Sequence, residues 1–114
     1  MQQINLQVAN CTTPANLFHL LRRQLHRNYR KPLVVMTPKS LLTKEDCVST
    51  LEDFGTSSQF YRLYSDSTQG LLPDSQITTL ILCTGKVYYD LVSKRTELNR
   101  KVISLIISYL FAII

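Results

Sequence analysis

Residues 4–37 read INLQVANCTTPANLFHLLRRQLHRNYRKPLVVMT, and this stretch decides the fold class. Ile4 to Ala9 carries the short apolar character of a strand. Thr12, Thr13 and Pro14 follow with a hydroxyl suited to an N-cap and a proline suited to the first helical turn, so a helix is expected from there to about Asn28. Leu17, Leu20, Leu21 and Leu25 recur at three-to-four-residue spacing and predict one apolar stripe, leaving Arg22, Arg23 and Arg27 for other faces or its flanks. Pro32 to Thr37 is a nearly continuous apolar run, which predicts a strand buried on both faces of a parallel sheet. Strand, helix and strand are complete by Thr37.

The pattern then breaks and returns. Pro38 ends the strand, and Lys39 to Leu42 predicts a short turn or helix leading away. Residues 43–76 are rich in Asp, Glu, Ser and Thr and contain Gly55, Gly70 and Pro73, so they read as a connector. Within it Phe60 to Tyr64 forms an extended piece expected to lie on a neighbouring surface. Ile77 to Cys83 is again a strand, Thr84-Gly85-Lys86 a tight turn, and a helix bearing Val87, Leu91 and Leu98 leads to a further strand from Val102. The fold class is therefore α/β, built from two strand-helix-strand units whose parallel crossovers are expected to be right-handed. Two strands per unit cannot cover their own apolar faces. Either the units pair with each other, or the chain dimerises, or it is a piece of something larger.

Composition narrows the function classes. The chain has 114 residues, 45% of them hydrophobic, which suits an ordinary globular domain and excludes a disordered tail. Thirteen basic against eight acidic residues give a formal charge of +5, a weak pull toward anionic partners. Cys11, Cys47 and Cys83 form no CxxC pair and suggest a reducing compartment without disulfides. Nothing in Met1 to Asn5 resembles an export signal. The uncharged run from Val102 to Ile114 has 13 residues, against the ~20 that a membrane-spanning helix needs, and its Val102, Ile103, Ile106 and Ile107 suit a buried strand.

No constellation of catalytic residues survives inspection. Gly85-Lys86 lacks the flanking residues of a phosphate loop, since Leu80 and Val87 stand where a glycine and a hydroxyl are needed. His19 and His26 share one side of the predicted helix, but no third ligand is near, so a metal site is not expected and both are read as solvent-facing or capped. Cys11 precedes a helix cap, which accounts for it without a nucleophilic role. Glu45-Asp46 and Glu52-Asp53 lie in the polar connector, where solvated faces are the default. The basic run Arg22, Arg23, His26, Arg27, Arg30, Lys31, with Tyr29 interleaved, could contact phosphates, yet no known nucleic-acid motif surrounds it.

Three segments, TTPANLFHLLRRQ at 12–24, RKPLVVMTPKSLL at 30–42 and LCTGKVYYDL at 82–91, closely resemble consecutive segments of the decarboxylating subunit of 2-oxoglutarate dehydrogenases, thiamine-diphosphate-dependent enzymes. The similarity covers roughly residues 5–101. It implies that residues 1–42 are the end of a transketolase-like pyrimidine-binding domain, 43–76 an interdomain connector and 77–114 the start of a transketolase-type C-terminal domain, both domains incomplete. The family decarboxylates 2-oxoglutarate on thiamine diphosphate held by magnesium and passes the succinyl group to the lipoyl arm of an acyltransferase core.

The resemblance also implies that the family's catalytic glutamate and histidines lie upstream. Its Gly-Asp-Gly metal element is absent, because Gly55, Gly70 and Gly85 are isolated. Catalytic, cofactor-binding and metal-binding residues are thus all expected to be none, and the chain to be inactive alone. Arg22, Arg23, Lys39 and Lys86 are the residues expected to meet the remainder of the subunit, a homodimer mate or an anion. Neither nucleic acid nor membrane is expected as a partner. The implied location is the cytoplasm in a bacterium and the mitochondrial matrix in a eukaryote. The resemblance breaks in SLIISYLFAII at 104–114, which reads as a truncation or frame change and as an aggregation hazard. A stand-alone interaction module and a basic nucleic-acid binder are the alternative readings.

Overall fold

A computed structural model describes residues 5–66, 68, 70–108 and 112–113. Strand β1 (Gln7–Asn10), helix α1 (Pro14–His26) and strand β2 (Leu33–Met36) form the first unit, with β1 and β2 parallel and Val8 opposite Val34. Strand β3 (Leu63–Tyr64) lies in the connector. Strand β4 (Thr79–Cys83), helix α2 (Lys86–Glu97) and strand β5 (Ile103–Ser108) form the second unit, with β4 and β5 parallel. Strand β6 (Ala112–Ile113) crosses back to pair antiparallel with β1. Two three-stranded sheets result, ordered β2-β1-β6 and β3-β5-β4.

The local chemistry of α1 follows the expected start. Thr13 is the N-cap, its hydroxyl accepting from the Asn16 N–H, and Pro14 stands in the first turn. The Ala15 N–H donates to Ser49 Oγ at 3.1 Å, which ties the connector to the same helix end. The apolar stripe differs from the expected one. Leu20 is buried and Leu17 packs against the core, but Leu21 and Leu25 are 49% and 74% exposed. Asn16 and His19 take inward positions instead, because the connector lies on that side of the helix and offers polar partners.

A similar correction applies to β2. Its residues alternate, with Leu33 and Val35 against the core and Val34 and Met36 facing out, so only one face is covered. The strand stands at the edge of its sheet, and Val34 and Met36 on its outer face are about half exposed. Strand β4 is the corresponding edge of the other sheet and exposes Leu80 and Leu82. Helix α2 buries Tyr89 and Arg95; of the apolar residues it was expected to carry, Val87 is more than half exposed, and so is Leu98, which stands as its C-cap.

The two units share one core. Ala9, Cys11 and Leu20 of the first cluster with Ile107 of β5, and Phe60, Tyr64 and Tyr88 pack around them. The extended piece expected at Phe60 to Tyr64 is the reason: its Leu63 and Tyr64 pair with Ser108 and Ile107 and hold β5 toward the first unit. The tail forms a strand in the opposite sheet, with residues 109–111 and 114 outside the described residues.

Two polar arrangements hold this packing. The end of β1 meets the turn into α2: the Gly85 N–H donates to Thr12 Oγ1 at 2.8 Å, and the Tyr89 hydroxyl donates to the Thr12 carbonyl at 2.8 Å. Gly85 adopts φ +65°, and a Cβ there would lie 2.8 Å from the Asn10 side chain, so both conformation and space call for glycine. The second arrangement is a buried ion pair. Asp66 meets the Arg95 guanidinium, which also donates to the Ile103 carbonyl at 3.0 Å and Thr68 Oγ1 at 2.7 Å, while the Leu105 N–H donates to Asp66 at 2.8 Å. Burial alone would raise the Asp66 pKa; hydrogen bonds from Arg95, Thr68 and Leu105 outweigh it and hold the carboxyl below its usual range.

Gly85→Ala is expected to lower stability by about 1–3 kcal/mol, read as an earlier denaturant midpoint, since it forces strained φ and crowds Asn10. Asp66→Asn leaves Arg95 without its counter-charge, at an expected cost of about 3–5 kcal/mol. Because the Asp66 pKa is depressed by folding, its contribution is complete above the unfolded carboxyl pKa of about 3.9 and disappears as pH falls through the lower folded value. Thermal unfolding from pH 6 to pH 2 should show that acid-side loss in the parent chain and a smaller one in Asp66→Asn.

Candidate functional site: a basic cleft between helix α1 and the connector

Helical spacing places His19, Arg22, Arg23 and His26 along one flank of α1, and the connector brings Gln59, Phe60 and Arg62 opposite them. Together they line a cleft of about 400 Å³. Its floor is held by main-chain acceptors. His19 is almost fully buried, with Nε2 at 2.7 Å from the Asp53 carbonyl and Nδ1 at 3.4 Å from an Arg22 guanidinium nitrogen. An arginine can only donate, so Nδ1 accepts and the ring hydrogen sits on Nε2, donated to Asp53. The solvent-facing reading of His19 is thereby corrected: the connector's carbonyl at Asp53 draws it inward. His26, one turn and more along the helix, is exposed.

Arg22 also donates to the Ser58 carbonyl at 3.5 Å. The Arg23 guanidinium carbon lies 5.0 Å from the centre of the Phe60 ring, a cation–π contact. Burial, followed by the charges of Arg27 and Arg62, lowers the Arg23 pKa from its ordinary value. The residues lining the cleft include no carboxylate, so their positive charges face one another. Chemically the cleft can attract an anion or an acidic surface. It offers neither a carboxylate base nor a nucleophile.

Of the four contact residues expected from the sequence, the structure brings Arg22 and Arg23 together in this cleft. Lys39 opens the short 3-10 turn after β2, and Lys86 opens α2, where it pairs with Asp90 at 3.8 Å; neither lines the cleft. Sequence reading missed Arg62 and Phe60 as members, because their approach to α1 depends on how the connector folds back. No periodicity signals that. Cys11, set aside as a nucleophile, is buried, and burial pushes its thiol up to about 11, so it stays protonated near neutral pH. Among the described residues, no group of three His, Cys, Asp or Glu side chains is placed to hold a metal, and no helix is long and apolar enough to cross a membrane.

Comparison with known proteins places both units. Residues 48–108 match the 2-oxoglutarate dehydrogenase C-terminal family, and residues 1–45 match the transketolase pyrimidine binding domain. The 2-oxoglutarate dehydrogenase E1 component of Brucella anthropi is 52% identical over 100 residues, an alignment covering 82% of this chain and 10% of that protein. The E1 components of Brucella ovis and Brucella abortus are 51% and 50% identical with the same coverage. The chain thus spans about a tenth of the length of the curated relatives it matches. With more than half of its residues inside the first match, this chain belongs to the 2-oxoglutarate dehydrogenase C-terminal family.

Proposed function

We propose that this chain contributes a domain junction to a thiamine-diphosphate-dependent 2-oxoglutarate dehydrogenase and catalyses nothing by itself. The observation that carries this reading is the pair of uncovered apolar strand faces: Val34 and Met36 on β2, Leu80 and Leu82 on β4. Edge strands with such faces expect sheet neighbours and covering helices. The relatives' greater length supports the same reading, since each supplies nine-tenths of its chain elsewhere.

In this reading residues 1–42 close a pyrimidine-binding domain, 43–76 connect, and 77–114 open a C-terminal domain. The full subunit would decarboxylate 2-oxoglutarate on thiamine diphosphate and magnesium and pass the succinyl group to a lipoyl acyltransferase core. The described residues do not fit that cofactor: magnesium wants oxygen ligands, and the cleft offers guanidinium and imidazole groups. No catalytic step is therefore assigned to them. Arg22 and Arg23, with Lys39 and Lys86, are proposed to meet the remainder of the subunit or a homodimer mate. The relatives named above are bacterial, which favours a cytoplasmic setting.

The purified chain mixed with thiamine diphosphate, magnesium and 2-oxoglutarate is expected to release no carbon dioxide above a protein-free blank; measurable release would overturn the proposal. Val34→Lys combined with Leu82→Lys is expected to lower the light scattering of concentrated solutions, because both side chains leave apolar surface uncovered. Unchanged scattering would mean that these faces are already protected.

A further inference from the structure

The connector that closes the basic cleft with Gln59, Phe60 and Arg62 contributes Ser58 and Tyr61 to a second cavity, of about 270 Å³ and opposite character. Four tyrosines, Tyr61, Tyr64, Tyr88 and Tyr89, and two aspartates, Asp46 and Asp53, are among its lining residues, and no lysine, arginine or histidine is. The tyrosines come as two pairs. Tyr61 meets Tyr64 with ring centres 5.5 Å apart and planes at 80°, and Tyr88 meets Tyr89 at 5.2 Å and 78°. Such edge-to-face pairs set neighbouring rings at right angles, which builds the walls of a cage and not a stack. Tyr89 is buried and Tyr61 is 41% exposed, so the rings run from floor to rim.

Hydrogen bonding sets what this lining can recognise. The Tyr64 hydroxyl donates to Asn16 Oδ1 at 3.2 Å, and the Tyr89 hydroxyl to the Thr12 carbonyl at 2.8 Å. A phenol has one hydrogen to give, so toward a ligand both oxygens can only accept. Helix α1 begins beside the cavity at Thr13 and Ala15, but Ser49 Oγ takes the Ala15 N–H and Thr13 Oγ1 takes the Asn16 N–H, so these two donors are answered within the protein. Hydroxyl oxygens, carboxylates and the negative faces of aromatic rings all favour positive charge. One ammonium group already shows that preference. Lys44 Nζ lies 5.9 Å from the centre of the Tyr89 ring and 3.7 Å from Asp46 Oδ2, although Lys44 is not itself a lining residue.

We propose that this tyrosine-lined cavity binds a small organic ammonium cation. Its size suits one, since sites for drug-sized ligands span roughly 300–1,000 Å³ and this cavity falls just below that range. Its chemistry suits one too. An alkylated ammonium gains from aromatic faces what it gives up in hydration, whereas a hard metal ion wants a cluster of oxygen ligands. Among the described residues no group of three His, Cys, Asp or Glu side chains is placed to hold such an ion.

Choline added to the full chain is the probe, read by the upfield shift of its methyl protons when they lie over tyrosine rings. Its isostere 3,3-dimethylbutan-1-ol has the same shape without the charge. The expected result is saturable choline binding, with the isostere about tenfold or more weaker and Tyr61→Leu losing about 2- to 30-fold in choline affinity, the span of one cation–π contact. Tyr61→Phe keeps the ring and should restore it. Nα-acetyl-lysine methylamide, titrated in parallel, separates a free ligand from a lysine side chain presented by a protein surface: the tighter of the two cations names the source, and either supports the site. Equal binding of choline and its isostere would overturn the proposal by making the cavity merely apolar. So would no binding of either cation, or unchanged choline affinity in Tyr61→Leu. The isostere comparison uses the parent chain and decides even where Tyr61→Leu misfolds.

Discussion

The structure depends on how Thr12 is satisfied. Its hydroxyl accepts the Gly85 N–H and its carbonyl accepts the Tyr89 hydroxyl, while Cys47 of the connector has its thiol 3.1 Å from that same tyrosine oxygen. Thr12 is buried, so each of these groups would otherwise be left without water or protein to bond, at about 1–3 kcal/mol apiece. One residue at the end of β1 thereby fixes where the second unit's helix begins. The neighbouring Thr13 starts α1. Consecutive threonines thus orient both helices, one in its own unit and one in the other.

Burying cations is handled in two opposite ways. Arg95 is almost fully enclosed, and its environment supplies a carboxylate, a carbonyl and a hydroxyl, so its charge is neutralised inside the fold. The arginines of the α1 cleft are held by carbonyl oxygens and by the face of Phe60, with no carboxylate among the lining side chains. The first arrangement is structural: it joins the connector, α2 and β5 and satisfies itself. The second gathers several guanidinium groups along one surface cleft.

Much of the fold was legible because it rests on local rules. Thr13-Pro14 marked the start of α1, the glycine in Thr84-Gly85-Lys86 marked the start of α2, and the apolar runs at Leu33 and Leu80 marked strands. What was not legible depended on the connector. His19 and Asn16 point inward because Asp53, Tyr61 and Tyr64 come back across α1 to meet them. A periodicity count ranks histidine and asparagine as outward-facing and Leu21 and Leu25 as inward, and here tertiary contacts override it. The cleft was half legible for the same reason: Arg22 and Arg23 stand together in the sequence, whereas Arg62 joins them only through folding. Arg95 was invisible, since an arginine on a helix reads as solvated unless its aspartate partner can be placed.

The position of β1 carries a consequence for the order of folding. Its parallel partner β2 follows after one helix, so that pairing closes a short loop, but its other neighbour, β6, lies more than a hundred residues further along. Loop closure over such a separation is slow compared with local pairing. During synthesis β1 can therefore pair with β2 well before β6 has been made, and the later of these two partners is also the more distant.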